Sequence, residues 1–222
     1  VEEQFLTAKL AQNLDAATYL VGRPGEGDGI LVSADRDPNT RGALVTGLIS
    51  DVPGDLSALA ADIDAGKVKT LLSVGEDLTE AGLTAEHLAK VDVVYLGSHA
   101  NATSEAAKVA IPTLTVFEKS GSFINQQFRI QKFAACVPGL AGATDDRVVL
   151  DLMLTAVGGE SEGSDMASVW KSLAASVSVL ADLNYAKIPD TGLLLDDTGW
   201  SQLNFSEGES LHFKPAAAEA TA

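Results

Sequence analysis

Between residues 69 and 117 the chain alternates short apolar runs with polar, helix-forming segments, and this rhythm limits the fold more than any other feature. The runs "KTLLSVG" (69–75), "VDVVYLGS" (91–98) and "AIPTLTVF" (110–117) are nearly continuous in apolar residues. A strand that is apolar on both sides must be covered on both faces, which is the signature of a parallel sheet with crossover helices. The segments before and between these runs supply those helices. "DLSALAADIDAGK" (55–67) places Leu56, Leu59 and Ile63 on one face, with Asp55 as its cap and Gly66 as its stop. "TAEHLAK" (84–90) and "ATSEAAKV" (102–109) read as shorter helical pieces. The expected class is α/β: a Rossmann-like, mostly parallel sheet with helices on both faces.

Further readings flank this unit. Apolar residues at 5, 6, 10 and 14 recur at the spacing of an opening helix. "ATYLVG" (17–22) and "ILVSA" (30–34) are predicted strands separated by a glycine-rich loop. After residue 117 the period changes. "GSFINQQFRIQKF" (121–133) alternates apolar and polar residues and predicts a hairpin or extended arm. "TDDRVVLDLMLTAVG" (144–158) predicts a helix capped by Thr144. A second helix over 164–180 carries Met166, Val169, Trp170, Leu173, Val177 and Leu180 on one face. Short strands are expected near the end. The predicted organisation is an α/β domain over 1–140, a helical extension with short strands packed on it over 141–214, and a flexible tail over 215–222.

Composition narrows the function. Fifteen Lys and Arg against 31 Asp and Glu give a net charge of −16, a field that repels phosphate backbones and anionic lipid. Nucleic-acid binding is therefore excluded as an expectation. No apolar run reaches the roughly 18 residues of a membrane span, so no direct membrane insertion is expected. Cys136 is the only cysteine, and one thiol builds neither an intramolecular disulfide nor a cysteine-held cluster. The opening residues Val1-Glu2-Glu3-Gln4 show no signal-peptide pattern and suggest a processed or partial chain in a reducing, cytoplasmic compartment.

Several short motifs fail on chemistry. "GRPGEGDG" has glycines, but Glu26 and Asp28 oppose a bound phosphate. Asp35, Asp37 and Asn39 match the opening of a calcium loop, yet Thr40 replaces its glycine and Thr46 its bidentate glutamate. Ser168-Val-Trp-Lys171 matches S-x-x-K but sits within an apolar helix. At the carboxyl ends of predicted strands, Glu76 and Asp77 could do acid–base work or cap a turn. His99 is the best placed of the three histidines, the others being His87 and His212. No nucleophile elbow accompanies them. The arm brings together Lys119, Asn125, Gln126, Gln127, Arg129, Gln131 and Lys132, donors that could grip an anion or pair with local acids.

Three blocks carry a family likeness: "NTRGALVTGLI" from Asn39, "TLLSVGEDL" from Thr70, and "IPTLTVFEKSGSFINQQFRIQKFAACVPG" from Ile111. In this order they resemble the molybdopterin oxidoreductase superfamily, and within it the large G subunits of bacterial NADH-quinone oxidoreductase (respiratory complex I). The likeness spans residues 39–157. It implies a noncatalytic structural domain in an assembly that moves electrons from NADH to quinone. Iron–sulfur clusters would be held elsewhere in the subunit and no cofactor here. The implied partners are the rest of the large subunit and other peripheral-arm subunits, on the cytoplasmic side of the membrane. The alternative is a cofactor-binding segment of an active molybdenum or tungsten enzyme. Asn39, Gly42, Asn125, Arg129 and Gln131 match the family pattern and are vestigial cofactor-binding candidates. Where the family has Glu-Gly-Arg, this sequence has Gln127-Phe128-Arg129, so an aromatic ring is expected where a cofactor would lie. Leu78 stands where the family has proline.

Overall fold

The computed structural model describes residues 1–28, 30 and 32–206. Its centre is the expected parallel sheet: β1 (Thr70–Val74), β2 (Asp92–Gly97) and β3 (Val109–Pro112), in the order β1-β2-β3. Thr70 pairs with Asp92 and Val74 with Leu96, while Val94 pairs with Val109 and Gly97 with Pro112.

In chain order the helices are α1 (Glu2–Asn13), α2 (Thr40–Val45), α3 (Ser57–Asp64), α4 (Ala85–Leu88), α5 (Ala102–Ala106), α6 (Asp146–Ala156) and α7 (Met166–Ser176). Alternation along β2 explains why both faces of the sheet are apolar. Val93 turns into one core with Leu59 and Ile63 of α3 and Leu88 of α4. Val94 and Leu96 face the other core, with Phe5, Leu6, Leu10, Leu150 and Trp170. The fold is thus α/β with helical cover on both sides of the sheet.

Asp55 accepts from the Ser57 amide but stands one residue before the N-cap of α3, which is Leu56 and has no side-chain cap bond. On α7, Val169, Trp170 and Leu173 are fully buried, and Met166 packs beside them. The helix stops at Ser176 because Val177 is extended; a short 3-10 turn over Ser178–Leu180 then buries Leu180.

The predicted hairpin forms a second, antiparallel sheet of β4 (Gly121–Ile124), β5 (Arg129–Phe133) and β6 (Leu193–Leu194). Ile124 sits opposite Ile130, and Arg129 opposite Leu194.

Three local expectations are corrected. "ATYLVG" is not a strand, and among the described residues of "ILVSA" none is in one; the flanking loop closes through an antiparallel bridge, Pro24 to Asp35. Its hydrogen bonds run within the loop, from Gly25 to Ala34 and from Asp28 to Val32. Thr144 does not cap α6. It bridges Thr113 beside the sheet, and Asp145 caps instead, accepting from the Arg147 amide. The short strands expected near the end reduce to β6, with residues 207–222, including His212 and the predicted tail, outside the described residues.

Candidate functional site

The candidate residues converge where the hairpin turn meets the start of α2. Asn39 is the hub. Its Oδ1 accepts from the Ile124 amide at 2.8 Å, and its Nδ2 donates to Gln4 Oε1 at 2.8 Å. Gln4 answers by donating to the Asn39 carbonyl at 3.1 Å. Gly42 leaves the room for this arrangement, since a Cβ there would stand 2.2 Å from Asn39 Oδ1 and 2.6 Å from Gln4 Oε1.

Asn125 holds the turn. Its Oδ1 accepts from the amides of Gln127 and Arg129, both at 3.0 Å. The Phe128 amide donates to the Asn125 carbonyl at 2.9 Å, and the Asn125 amide to the Arg129 carbonyl at 3.0 Å. The loop is a tight turn followed by a left-handed residue, a geometry that favours glycine. Here that residue is Phe128, with φ of +56°. A glycine, which the resemblance leads one to expect at this position, would suit the backbone.

The Phe128 side chain compensates for this strained backbone. Its ring is buried, stacks on Trp200 with centroids 5.2 Å apart, and meets Phe205 edge-on at 6.2 Å. Arg41, also buried, lies 5.8 Å from the Phe128 ring and only 3.4 Å from the centre of Phe205. Its Nη1 reaches Asp35 Oδ2 at 3.2 Å. Burial brings the guanidinium down to about 10 against the pull of Asp35, so it remains a cation at neutral pH.

Arg129 and Gln131 lie on β5, and their side chains point away from the Phe128 cluster. Arg129 Nη1 makes long contacts to the carbonyls of Thr191 and Gly192, at 3.4 and 3.5 Å. Gln131 is exposed and packs its stem near Gly192. Of the five candidates, the structure joins Asn39, Gly42 and Asn125 through β4; Arg129 meets Asn125 through its backbone alone, and Gln131 shares only a cavity wall with it. Sequence reasoning does not pick out Arg41, Trp200 or Phe205. Arg41 stands beside the matching Asn39 and Gly42, which could have flagged it, while nothing near Trp200 marks it.

Two cavities flank the segment carrying Asp35 and Asp37. One, of about 380 Å³, is lined by Asp35, Asp37, Thr40, Pro53, Leu56 and Phe205 among others. The other, about 540 Å³, lies against Arg36, Phe123, Asn125, Gln126 and Gln131. Gln126 is already engaged, donating to Ser33 Oγ and the Asp35 carbonyl. Asp55 and Glu80 add carboxylates to the first cavity, and its Arg23 is drawn off by Glu76 and Asp37. Those two hydrogen-bonded partners push the Arg23 pKa up.

Such surroundings do not suit a pterin dinucleotide, whose pyrophosphate needs outward-facing donors and positive potential. The Ile124, Gln127 and Arg129 amides, donors that a pyrophosphate could use, are already taken by the side-chain oxygens of Asn39 and Asn125, and carboxylates line the adjoining space.

At the carboxyl ends of β1 and β2, Asp77 is a structural acceptor. Its Oδ1 takes the Thr79 and Thr103 hydroxyls and its Oδ2 the Ala102 amide at the start of α5. Burial raises its pKa, but the bonds from Thr79 and the others prevail and lower it. Glu76 binds Arg23; His99 Nδ1 lies 2.9 Å from Ser98 Oγ at the surface. Asp35 and Asp37 are paired with Arg41 and Arg23, not gathered around an ion. Among the described residues no three His, Cys, Asp or Glu side chains converge on a metal position. Among them also, no helix is long and apolar enough to cross a membrane.

Residues 4–150 match the family model described as molybdopterin oxidoreductase. A stretch of 128 residues, 55% of this chain, is 26% identical to "Putative formate dehydrogenase YrhE" of Bacillus subtilis (strain 168). That stretch spans 13% of the length of the relative.

Proposed function

The chain belongs to the molybdopterin oxidoreductase family, and from that premise we propose that it serves as a noncatalytic structural domain of the large G subunit of an NADH-quinone oxidoreductase. Electrons would pass from NADH to quinone through clusters held elsewhere in the assembly. This domain would dock against the rest of its subunit and other peripheral-arm subunits on the cytoplasmic side.

One observation carries the reading: the Phe128 ring, set on a left-handed turn, is buried under Trp200 at the position where the family pattern has glycine. A ring in that place fills the approach to the turn, and the neighbouring amides are already bonded to Asn39 and Asn125. The acidic lining at Asp35, Asp37, Asp55 and Glu80 adds an unfavourable field for a dinucleotide.

The identity to the formate dehydrogenase-like relative favours a second reading, in which this segment helps hold a pterin dinucleotide in a working enzyme. Purified protein of full natural length discriminates the two. Under the structural reading, elemental analysis and oxidised-pterin fluorescence find neither molybdenum, tungsten nor pterin in stoichiometric amount. Stoichiometric metal with pterin would overturn it.

A further inference from the structure

Residues 109–117 and 133–144 contain no charged side chain, in a chain of which 21% is charged. The fold brings these two stretches together. The amides of Cys136 and Val137 both donate to the Phe117 carbonyl, at 2.9 and 3.2 Å, and Thr144 bridges Thr113. Gly139 lets the second stretch close on the first, since a Cβ there would lie 2.9 Å from Leu114 Cδ2. Glu118 adds the last ties: Oε2 accepts from the amide and hydroxyl of Thr115, and Oε1 from the Leu140 amide.

What the joined stretches show to solvent is apolar. Phe117 is 63% and Leu140 72% exposed, Val116 and Val137 are exposed beside them in sequence, and so is every residue from 134 to 142. Backbone bonds hold these side chains in place, so their exposure is a fixed property of the surface. Large apolar groups gathered in this way mark an interaction site.

Charge decides what covers it. A basic partner is drawn to surface that carries carboxylates, not to the part that has none. In a two-fold contact the same patch meets itself, so it must be complementary to itself. At a net charge of −16, a carboxylate-bearing face fails that condition by like-charge repulsion, whereas an uncharged apolar face meets it.

We infer that two copies of the chain associate through this face, with Phe117 and Leu140 as the main side chains buried between them. Two short loops make a contact at the weak end of protein interfaces, so the association depends on concentration. The net charge of both copies opposes it from a distance, and salt screens that repulsion. The inference goes beyond the structural reading above and does not rest on it.

Sedimentation equilibrium of the full chain tests it, with a reducing agent present because Cys136 is exposed on the same loop. From about 1 to about 300 μM the average mass should rise from near 23.0 kDa toward twice that value, as a micromolar dissociation constant requires. Raising salt from about 0.05 to about 0.5 M should tighten the dimer, the opposite of what a contact between unlike charges would do. Leu140→Glu places like charges on both sides of the contact and should weaken association at least about tenfold. Position 140 is exposed, so the thermal midpoint of that variant should match the parent's and show that its fold is kept. A mass of 23.0 kDa at every concentration overturns the inference and leaves the face to a different partner. A dimer indifferent to both Leu140→Glu and Phe117→Ser uses another face and overturns it equally. None of these readouts depends on metal or pterin content, so this inference and the structural reading fail separately.

Discussion

The indole Nε1 of Trp170 donates to Oε1 of Glu2 at 2.7 Å, joining residues 168 apart in a buried site. The same carboxylate accepts from the amide and hydroxyl of Ser122, at 3.0 and 2.8 Å. One side chain therefore fastens α1, α7 and β4 together. Trp170→Phe keeps most of the packing but removes a donor from a buried charge. Hydrogen bonds to charged groups contribute about 1.5–3 kcal/mol, so the variant should lose at least about 2 kcal/mol. Urea unfolding measures this; a loss under about 0.5 kcal/mol would mean that the carboxylate finds another donor.

Phe128→Gly sets two effects against each other. Glycine relieves a left-handed backbone that costs about 1–2 kcal/mol for a residue with a Cβ. It also deletes a buried ring, and a large-to-small change of this kind costs about 3–5 kcal/mol. Packing should win, with a net destabilisation of about 2–3 kcal/mol by chemical denaturation. A variant as stable as the parent would show that the ring contributes no more than the turn's strain.

The turn at Phe128 and the rings that cover it differ in how legible they are in the sequence. The apolar runs of β1, β2 and β3 announce a sheet covered on both faces, and the change of period after residue 117 announces the hairpin. Both signals are local and repeat along the chain. "ATYLVG" and "ILVSA" have a similar composition, yet the backbone bonds around them close a loop, because nothing in an apolar run specifies a pairing partner. The candidate site shows the same limit. Asn39 and Asn125 are visible as polar residues in a matching pattern, but whether their oxygens face a guest or a neighbouring amide is set by tertiary contacts. Trp200 and Phe205 reach Phe128 from more than 70 residues away, a contact without local signature.

Asn39→Ala and Gly42→Ala should fail for one shared reason. The first removes the acceptor of the Ile124 amide, whose residue is fully buried. The second drives a methyl group to within 2.2 Å of that same acceptor. An orphaned buried amide costs about 1–3 kcal/mol, and each variant should fall in that range. Because both break one contact, the double variant should be less destabilised than the sum of the singles. Thermal and urea unfolding of the cycle provide the check; strict additivity would mean the two residues act independently.

Arg129→Ala should be milder than its place in the family pattern suggests. Its guanidinium reaches the Thr191 and Gly192 carbonyls only at 3.4 and 3.5 Å. Contacts that long are weak, so the expected loss is under about 1 kcal/mol. A larger loss in urea unfolding would show that Arg129 anchors β6.

Acid sensitivity should centre on the start of α6. Asp145 caps this helix through the Arg147 amide and grips the guanidinium of the same residue, with Nη2 to Oδ2 at 2.6 Å. Burial alone would raise the Asp145 pKa; the Arg147 bonds and charge, with Lys119 nearby, outweigh it and hold it below the usual value of 3.8. The folded state therefore releases this proton at a lower pH than the unfolded chain. The stabilisation is complete above the unfolded value and is lost as pH falls through the folded one. Asp145→Asn retains an oxygen for the cap but cannot ionise. Its urea midpoint should lie below the parent's at neutral pH, with the gap narrowing as pH drops from about 5 to about 2. A gap constant over that interval would mean that the Asp145 charge adds nothing to folding.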